Sequence, residues 1–551
     1  MSTVDLAQAL WLLVSAIGLS LAVSYARVQV LGQGAFMAIG AFTTALLGPG
    51  GEGWPLLIAC LAGVLLAVAA GWAVALGGSR LEGAHFALAT WALAWLVDRV
   101  LLSYPDLSGG SDGLIRPSPA HLVSQSLGLD LVLTPLTHVA LAGLVCIIGL
   151  AALARVQRGP GGLDLAALRE GPALARSLGV PVARRRRTVL CIAAAMGGLS
   201  GAGSTVLLGL ITPADVSPLV SLELFVAVLV AGAARWWGPL VGVILLTALP
   251  KIAEWLSSSA GGDEERLRGV VTAGLLLAVM ALRQPLARRL LRPGPPPGPR
   301  APADDASPST PEPAEVLLTA QGVTVAYDGL VALDDASIEL RAGEVHALVG
   351  SNGSGKSTLL RVLAGEVDAG RLALRGQPLS SGVERRVGEG VVRTPQQTVL
   401  MPRLEAAAQV AVGARVRSPR HAVLRHLLAT PSSRTDHLEP YVDEALRDLG
   451  LSHVVGADPK RLTVGDQRLL QVARAVATGA TVLLLDEPAA GMSADERAQL
   501  RHVLRRLAAQ GRAVLIVEHD LALVKAAADR VTVLEAGRVV TTEDVGQAMH
   551  G

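Results

Sequence analysis

The sequence predicts two folds in series: an α-helical polytopic membrane domain of about 8–9 spans, then an α/β domain built on a phosphate-binding loop. Three observations predict it. Up to residue 292 the chain is a succession of long apolar runs rich in Leu, Val, Ala and Gly. A Pro-rich stretch opens at Pro293. From residue 315 the apolar runs shorten to strand length, charged residues become frequent, and Gly350-Ser351-Asn352-Gly353-Ser354-Gly355-Lys356-Ser357 fits G-x-x-x-x-G-K-[ST]. The hydrophobic fraction of 51% is therefore an average over two unlike halves of a 551-residue chain. A net charge of +2 names no partner by itself, and no nucleic-acid partner is expected.

In the first half, candidate spans run over 7–25, 30–48, 55–76, 84–102, 137–154, 188–209, 218–233, 238–256 and 268–283. Each is near the ~20 apolar residues that cross a bilayer as a helix, with a broken or re-entrant helix as the alternative around 25–48. Placing the Arg184–Arg187 run in the cytoplasm also puts Arg27, Arg80, Arg155, Arg158, Arg235 and the Arg283–Arg292 cluster there. The soluble half then lies on the side that holds ATP. Cys60, Cys146 and Cys191 fall inside apolar runs, without metal-ligand spacing or a disulfide pattern. Asp98 and Arg99 close the fourth span and Lys251 lies in the eighth; of a functional intramembrane charge and a snorkelling anchor, the anchor is the favoured reading. The first apolar run, from Leu6, has no basic residue before it and no cleavage site, so no secretory signal is expected.

The loop 155–187 contains two short amphipathic helices, around Leu165–Glu170 and Ala173–Val180, separated by a Gly-Pro break. Such a segment either lies on the anionic inner leaflet or docks on a partner domain. With Val30–Phe36, Ser108–Leu114 and Gly232–Pro239, this loop makes most of residues 1–290 resemble the permease subunit of branched-chain amino acid ABC importers. The resemblance implies that 167–180 is the coupling helix seated on the ATPase. Residues 231–237 depart from the usual Gly-rich turn by carrying Arg235 and a second Trp.

Pro293 to Pro313 forms neither helix nor sheet for long, because Pro fixes φ and removes donors. The expected division is a membrane domain at 1–292, a linker at 293–314 and an ATPase domain at 315–551.

In the ATPase half a short buried strand, 344–349, precedes the phosphate loop, and a helix begins near Thr358. The glycines let successive backbone N–H groups turn onto the phosphates of ATP, beside the positive end of that helix. Lys356 supplies a fixed cation, and Ser357 a hydroxyl for Mg²⁺. Val482–Leu485 is a continuous apolar run, hence a strand covered on both faces, ending in Asp486 and Glu487. Asp486 is placed to hold Mg²⁺ and Glu487 to polarise the attacking water. Tyr327 precedes the loop at an interval suited to stacking on adenine, and Gln396, with Gln397 as the register alternative, is placed to reach Mg²⁺ and the water.

Residues 316–540 resemble the ATPase subunits of the same importers. The resemblance makes Leu462–Arg468 the ABC signature, in which Thr463 and Gly465 would take the γ-phosphate of ATP bound at the opposite subunit. Asp466 stands where Gln is usual, which leaves open whether this half-site is weakened. Ala490–Ser493 matches the dimer-contact turn, and His519 the histidine that holds the water-activating acid. The implied function is ATP-driven import of a small solute, branched-chain or related amino acids first, with Mg²⁺, a second permease and ATPase subunit, an extracellular solute-binding protein and a lipid membrane, the cell membrane. Two alternatives stay open: an exporter of the same architecture, and a nucleotide-binding regulatory module with little turnover.

Overall fold

The computed structural model describes residues 2–25, 28–49, 52–78, 84–116, 120–121, 132–158, 160–231, 236–260, 315–402, 404–417 and 438–545. The expected span at 268–283, the linker at 293–314 and most of the 231–237 turn lie outside the described residues. Two compact units emerge, and their division is not a single cut in the chain. One comprises residues 1–158 and 183–292; the other comprises 159–182 and 293–551.

In the first unit the apolar runs form helices α1 (Thr3–Tyr25), α2 (Gln33–Leu47), α3 (Leu56–Gly77), α4 (Ala84–Ser103) and α5 (Pro135–Arg158). After the loop that belongs to the second unit, with helices α6 (Pro160–Glu170) and α7 (Pro172–Ser177), come α8 (Val182–Leu208), α9 (Pro218–Val230) and α10 (Gly238–Ala260). Six helices among the described residues are long and apolar enough to cross a membrane; α2 is a shorter apolar helix.

Residues 28–32 are not helical, so the run expected at 30–48 is the broken form. Irregular backbone in lipid must find its hydrogen bonds inside the protein. It does so here: Leu31 N–H donates to Thr90 Oγ1 at 3.0 Å and Gly34 N–H to Ser221 Oγ at 2.6 Å. Gln33, wholly buried, donates to Ser15 Oγ at 3.1 Å and to the Ala193 carbonyl at 3.0 Å. Four helices thus satisfy one helix start. Small residues bring α2 against α8, where a Cβ on Gly40 would stand 2.5 Å from Gly198 Cα. Near the span ends Arg99 pairs with Asp98 at 3.6 Å and lies over the Trp95 ring, and Lys251 pairs with Asp5 at 3.2 Å.

The second unit carries two sheets. Strands β1 (Val316–Tyr327), β2 (Leu330–Arg341), β4 (Arg371–Leu374) and β5 (Gln377–Pro378) make an antiparallel sheet of order β2-β1-β4-β5. The second sheet comprises β3 (Val345–Val349), β6 (Val391–Thr394), β7 (Val482–Asp486), β8 (Ala513–Val517), β9 (Arg530–Glu535) and β10 (Arg538–Asp544). Its order is β6-β7-β8-β3-β9-β10, parallel except for the β9-β10 hairpin. Every residue of β7 and β8 is buried, as their unbroken apolar sequence requires. Helices α11 (Lys356–Leu363), α12 (Val383–Glu389), α13 (Ala406–Ala414), α14 (Glu439–Asp448), α15 (Val464–Ala477), α16 (Ala494–Ala509) and α17 (Leu521–Ala527) complete it. β3, β7 and β8 are neighbours, so the phosphate loop, Asp486-Glu487 and Glu518-His519 leave adjacent strands at the same end of the sheet. That is where an open α/β sheet binds ligands.

The amphipathic loop does not lie free. It packs as part of the ATPase unit. Asp164 of α6, wholly buried, pairs with Arg415. Arg176 of α7 stands 3.9 Å from Glu384 of α12, which also accepts from Val182 N–H at 3.3 Å. Gly179, at φ +71°, closes against Val387 and Val416, and a Cβ there would meet each at 3.0 Å. Of the two readings of the loop, the structure has the docked one.

Candidate nucleotide site

The phosphate loop is the turn from β3 into α11. Its glycines are required by geometry: Gly353 and Gly355 have φ of +83° and +104°, and a Cβ on Gly355 would stand 2.5 Å from the Ala332 carbonyl oxygen. Lys356 is buried and donates from Nζ to the carbonyls of Gly350 and Ser351, both at 2.8 Å. It braces the loop from inside. Burial pushes its ammonium below the ordinary lysine value, while the Glu487 and Asp486 carboxylates pull it back up. Ser354 Oγ is buried without a protein hydrogen-bond partner, while Ser351, Asn352, Gly353 and Ser357 are exposed and Thr358 partly so. An unsatisfied hydroxyl beside an inward-braced ammonium at a helix N-terminus suits a phosphate group.

Asp486 and Glu487 lie at the end of β7. Asp486 accepts from Arg393 of β6 at 2.8 Å, and Arg393 also reaches Glu366 at 2.8 Å. This guanidinium fixes the Asp486 carboxylate in place at the strand end. Nothing in the sequence pattern marked Arg393 for that task. Glu487 adopts φ +48°, a strained conformation for a residue with a Cβ. Its N–H is tied to the Val517 carbonyl at 2.9 Å, and its carboxylate faces His519 Nε2 at 3.4 Å. The acid and the histidine predicted to act together are therefore together. Glu518, which precedes His519 and is buried, accepts from Ala489 N–H at 2.7 Å and holds the turn after Pro488. Burial raises its carboxyl above the ordinary glutamate value.

Tyr327 ends β1, part-exposed, with the Arg361 guanidinium 5.8 Å from its ring centroid. Gln396 and Gln397 are exposed in the segment after β6. That segment is gripped from one face of α15: Gln471 donates to the Pro395 carbonyl, Arg468 to that of Gln396 and Arg474 to that of Val399, the last at 2.7 Å. Their spacing of three residues puts them in one row on a helix. Arg474 is wholly buried, which lowers its guanidinium to about 10.

Thr463 and Gly465 hydrogen-bond within their own region and not to the phosphate loop. Thr463 caps α15, accepting from Asp466 N–H at 3.1 Å, and Gly465 N–H donates to Glu496 Oε1 at 3.0 Å. Asp466 is buried, with His453 Nε2 at 3.5 Å from its Oδ2. Its carboxylate turns into the protein, so the departure from Gln adds no acid to the exposed end of the helix.

Comparison with known proteins gives two family matches. Residues 5–280 match the family described as branched-chain amino acid transport system / permease component, and residues 333–490 match the ABC transporter family. An arabinose import ATP-binding protein of Burkholderia cenocepacia is 37% identical over 243 residues, 44% of this chain and 45% of that protein. One from Azospirillum brasilense is 37% identical over 231 residues, 41% and 42% of the two chains. The chain thus spans less than half the length of these relatives. A solved nucleotide-free ATP-binding cassette from an ABC transporter is similar at 25% identity, covering 42% of this chain and 92% of that one with a TM-score of 0.36.

Proposed function

This chain belongs to the branched-chain amino acid transport permease family and carries an ABC ATPase domain on the same polypeptide, and on that premise we propose that it is one half of an ATP-driven importer of a small solute. The observation that carries the proposal is the docking of 159–182, a loop between spans, into the ATPase unit through Asp164, Arg176 and Gly179. A movement of the ATPase would be handed to α8, which begins at Val182.

In this reading the amides of Gly350 to Gly355 and Lys356 hold the phosphates of ATP, with Ser357 and Thr358 at the helix start, and Tyr327 meets the adenine. Ser357, Asp486 and Gln396 would hold Mg²⁺, which neutralises phosphate charge when bound. Glu487 polarises the attacking water and His519 orients Glu487. Thr463 and Gly465 serve ATP on a second ATPase, so the working assembly has two such domains, alike or different, and two permeases. A solute-binding protein delivers the substrate from outside, and the assembly sits in the lipid of the cell membrane with its ATPase in the cytoplasm.

The permease family supports branched-chain or related amino acids as substrate, because those helices, unlike the ATPase, line any solute path. A second reading, sugar import, draws on the arabinose-import relatives, whose similarity is confined to 231 to 243 residues. The test is uptake of labelled leucine against labelled arabinose by proteoliposomes with the solute-binding protein, in wild type and Glu487→Gln. ATP-dependent uptake of either, lost in Glu487→Gln, supports import and names the class. ATP binding without turnover or uptake refutes import in favour of a regulatory module.

A further inference from the structure

We propose that Glu496 occupies the signature donor Gly465, beside Thr463, as an internal stand-in for phosphate, and that ATP from the opposite ATPase must displace it to close the dimer. The inference rests on the composite-site reading above. Thr463 and Gly465 lie at the N-terminus of α15, where a helix favours an anion. An anion is already there. Glu496 Oε1 accepts from Gly465 N–H at 3.0 Å, beside Thr463, whose hydroxyl oxygen accepts from Asp466 N–H. The contact is close: a Cβ on Gly465 would stand 2.5 Å from both Cδ and Oε1 of Glu496.

The second oxygen has a different duty. Glu496 Oε2 accepts from Ser493 N–H at 2.9 Å, completing a capping box at the start of α16. Ser493 ends the predicted dimer-contact turn Ala490–Ser493. One carboxylate therefore ties that turn to the signature helix. These donors hold Glu496 below the ordinary glutamate value, so it is an ion at neutral pH. A γ-phosphate arriving at Thr463 and Gly465 would meet a negative charge already on the Gly465 N–H, and both anions cannot use that donor. The residue that is released stays on Ser493, so occupancy of the signature is conveyed to the dimer-contact turn.

Glu496→Gln tests this without breaking the cap, since Gln serves equally in a capping box. The full chain, with the subunits that accompany it, is assayed in lipid for MgATP-dependent turnover, and for ADP binding as a probe of the phosphate loop. Hydrogen bonds to charged acceptors exceed those to neutral ones by enough to change binding about tenfold. The expected result is a half-saturating MgATP concentration about tenfold lower, with maximal turnover within about twofold and ADP affinity unchanged. A merely structural role would move maximal turnover or ADP affinity instead. Thr463→Ala is run in parallel. If it raises half-saturation while Glu496→Gln leaves it unchanged or raised, the displacement idea is overturned and the composite site stands. If Thr463→Ala has no effect, or wild type shows no response to MgATP, the composite-site reading fails and this inference with it.

Discussion

Asp164→Asn is the sharpest test of how the two halves communicate. Asp164 is wholly buried and paired with Arg415, whose side chain is 15% exposed. Removing one partner of a buried ion pair costs about 3–5 kcal/mol. Asn keeps the shape and an acceptor oxygen, and Arg415 has some access to water, so the low end applies, about 3 kcal/mol. A second ion pair of the docked loop is weaker: Arg176 and Glu384 stand 3.9 Å apart with side chains 44% and 35% exposed, worth less than about 1 kcal/mol. Asp164 therefore outweighs Arg176 in the docking. A loss of about 3 kcal/mol shifts a docked-to-undocked equilibrium about a hundredfold. Uptake and ATP turnover are measured on the same proteoliposomes. Solute moved per ATP should fall at least about tenfold while turnover persists, and the exchanged pair Asp164→Arg with Arg415→Asp should restore part of the coupling. Glu384→Gln should change the ratio by less than about twofold. An unchanged ratio in Asp164→Asn refutes the claim that this loop transmits force.

Three further outcomes are expected. Glu487→Gln should still bind ATP but lose turnover by about a hundredfold or more, by phosphate release; undiminished release removes Glu487 from the chemistry. Gln471→Leu frees the Pro395 carbonyl from α15 and should lower turnover several-fold while leaving ADP affinity intact; a fall in ADP affinity instead would show general damage to the domain. His346 is buried, its Nε2 2.7 Å from Thr532 Oγ1, and burial, with Arg530 nearby, pushes its imidazole from 6.5 down to about 3. The fold thus keeps it neutral where the unfolded chain protonates. That stability is fully present above pH 6.5 and is lost as pH falls toward 3, about 2 kcal/mol of it between 6.5 and 5. Urea unfolding of the ATPase half at pH 8 and pH 5 should show this loss in wild type and a smaller one in His346→Gln; equal losses would place the acid sensitivity elsewhere.

Much of this molecule is readable along the chain. The nucleotide site is legible because its parts are local: a turn that demands positive φ, a helix that starts at Lys356, and strands whose unbroken apolar runs end in Asp486 and His519. The membrane helices are legible from length and composition, and the break before α2 was one of two readings that the sequence allowed. Glu496 was half legible. Ser493 and Glu496 form an S-x-x-E pattern that announces a capping box, but the second use of the same carboxylate, on Gly465, has no local sign.

The sequence by itself determined what depends on backbone periodicity and on residues within a few positions of one another: the spans, the phosphate loop, the acidic strand end. Only the tertiary structure decided which distant groups share a charge. It set Arg393 on Asp486, Asp164 on Arg415 and Glu496 on Gly465, and it turned Asp466 inward toward His453. The physical reason is that a helix or strand fixes its own side-chain directions, whereas an ion pair or a shared donor is fixed by packing between elements that the chain brings together from 13 to 251 positions apart.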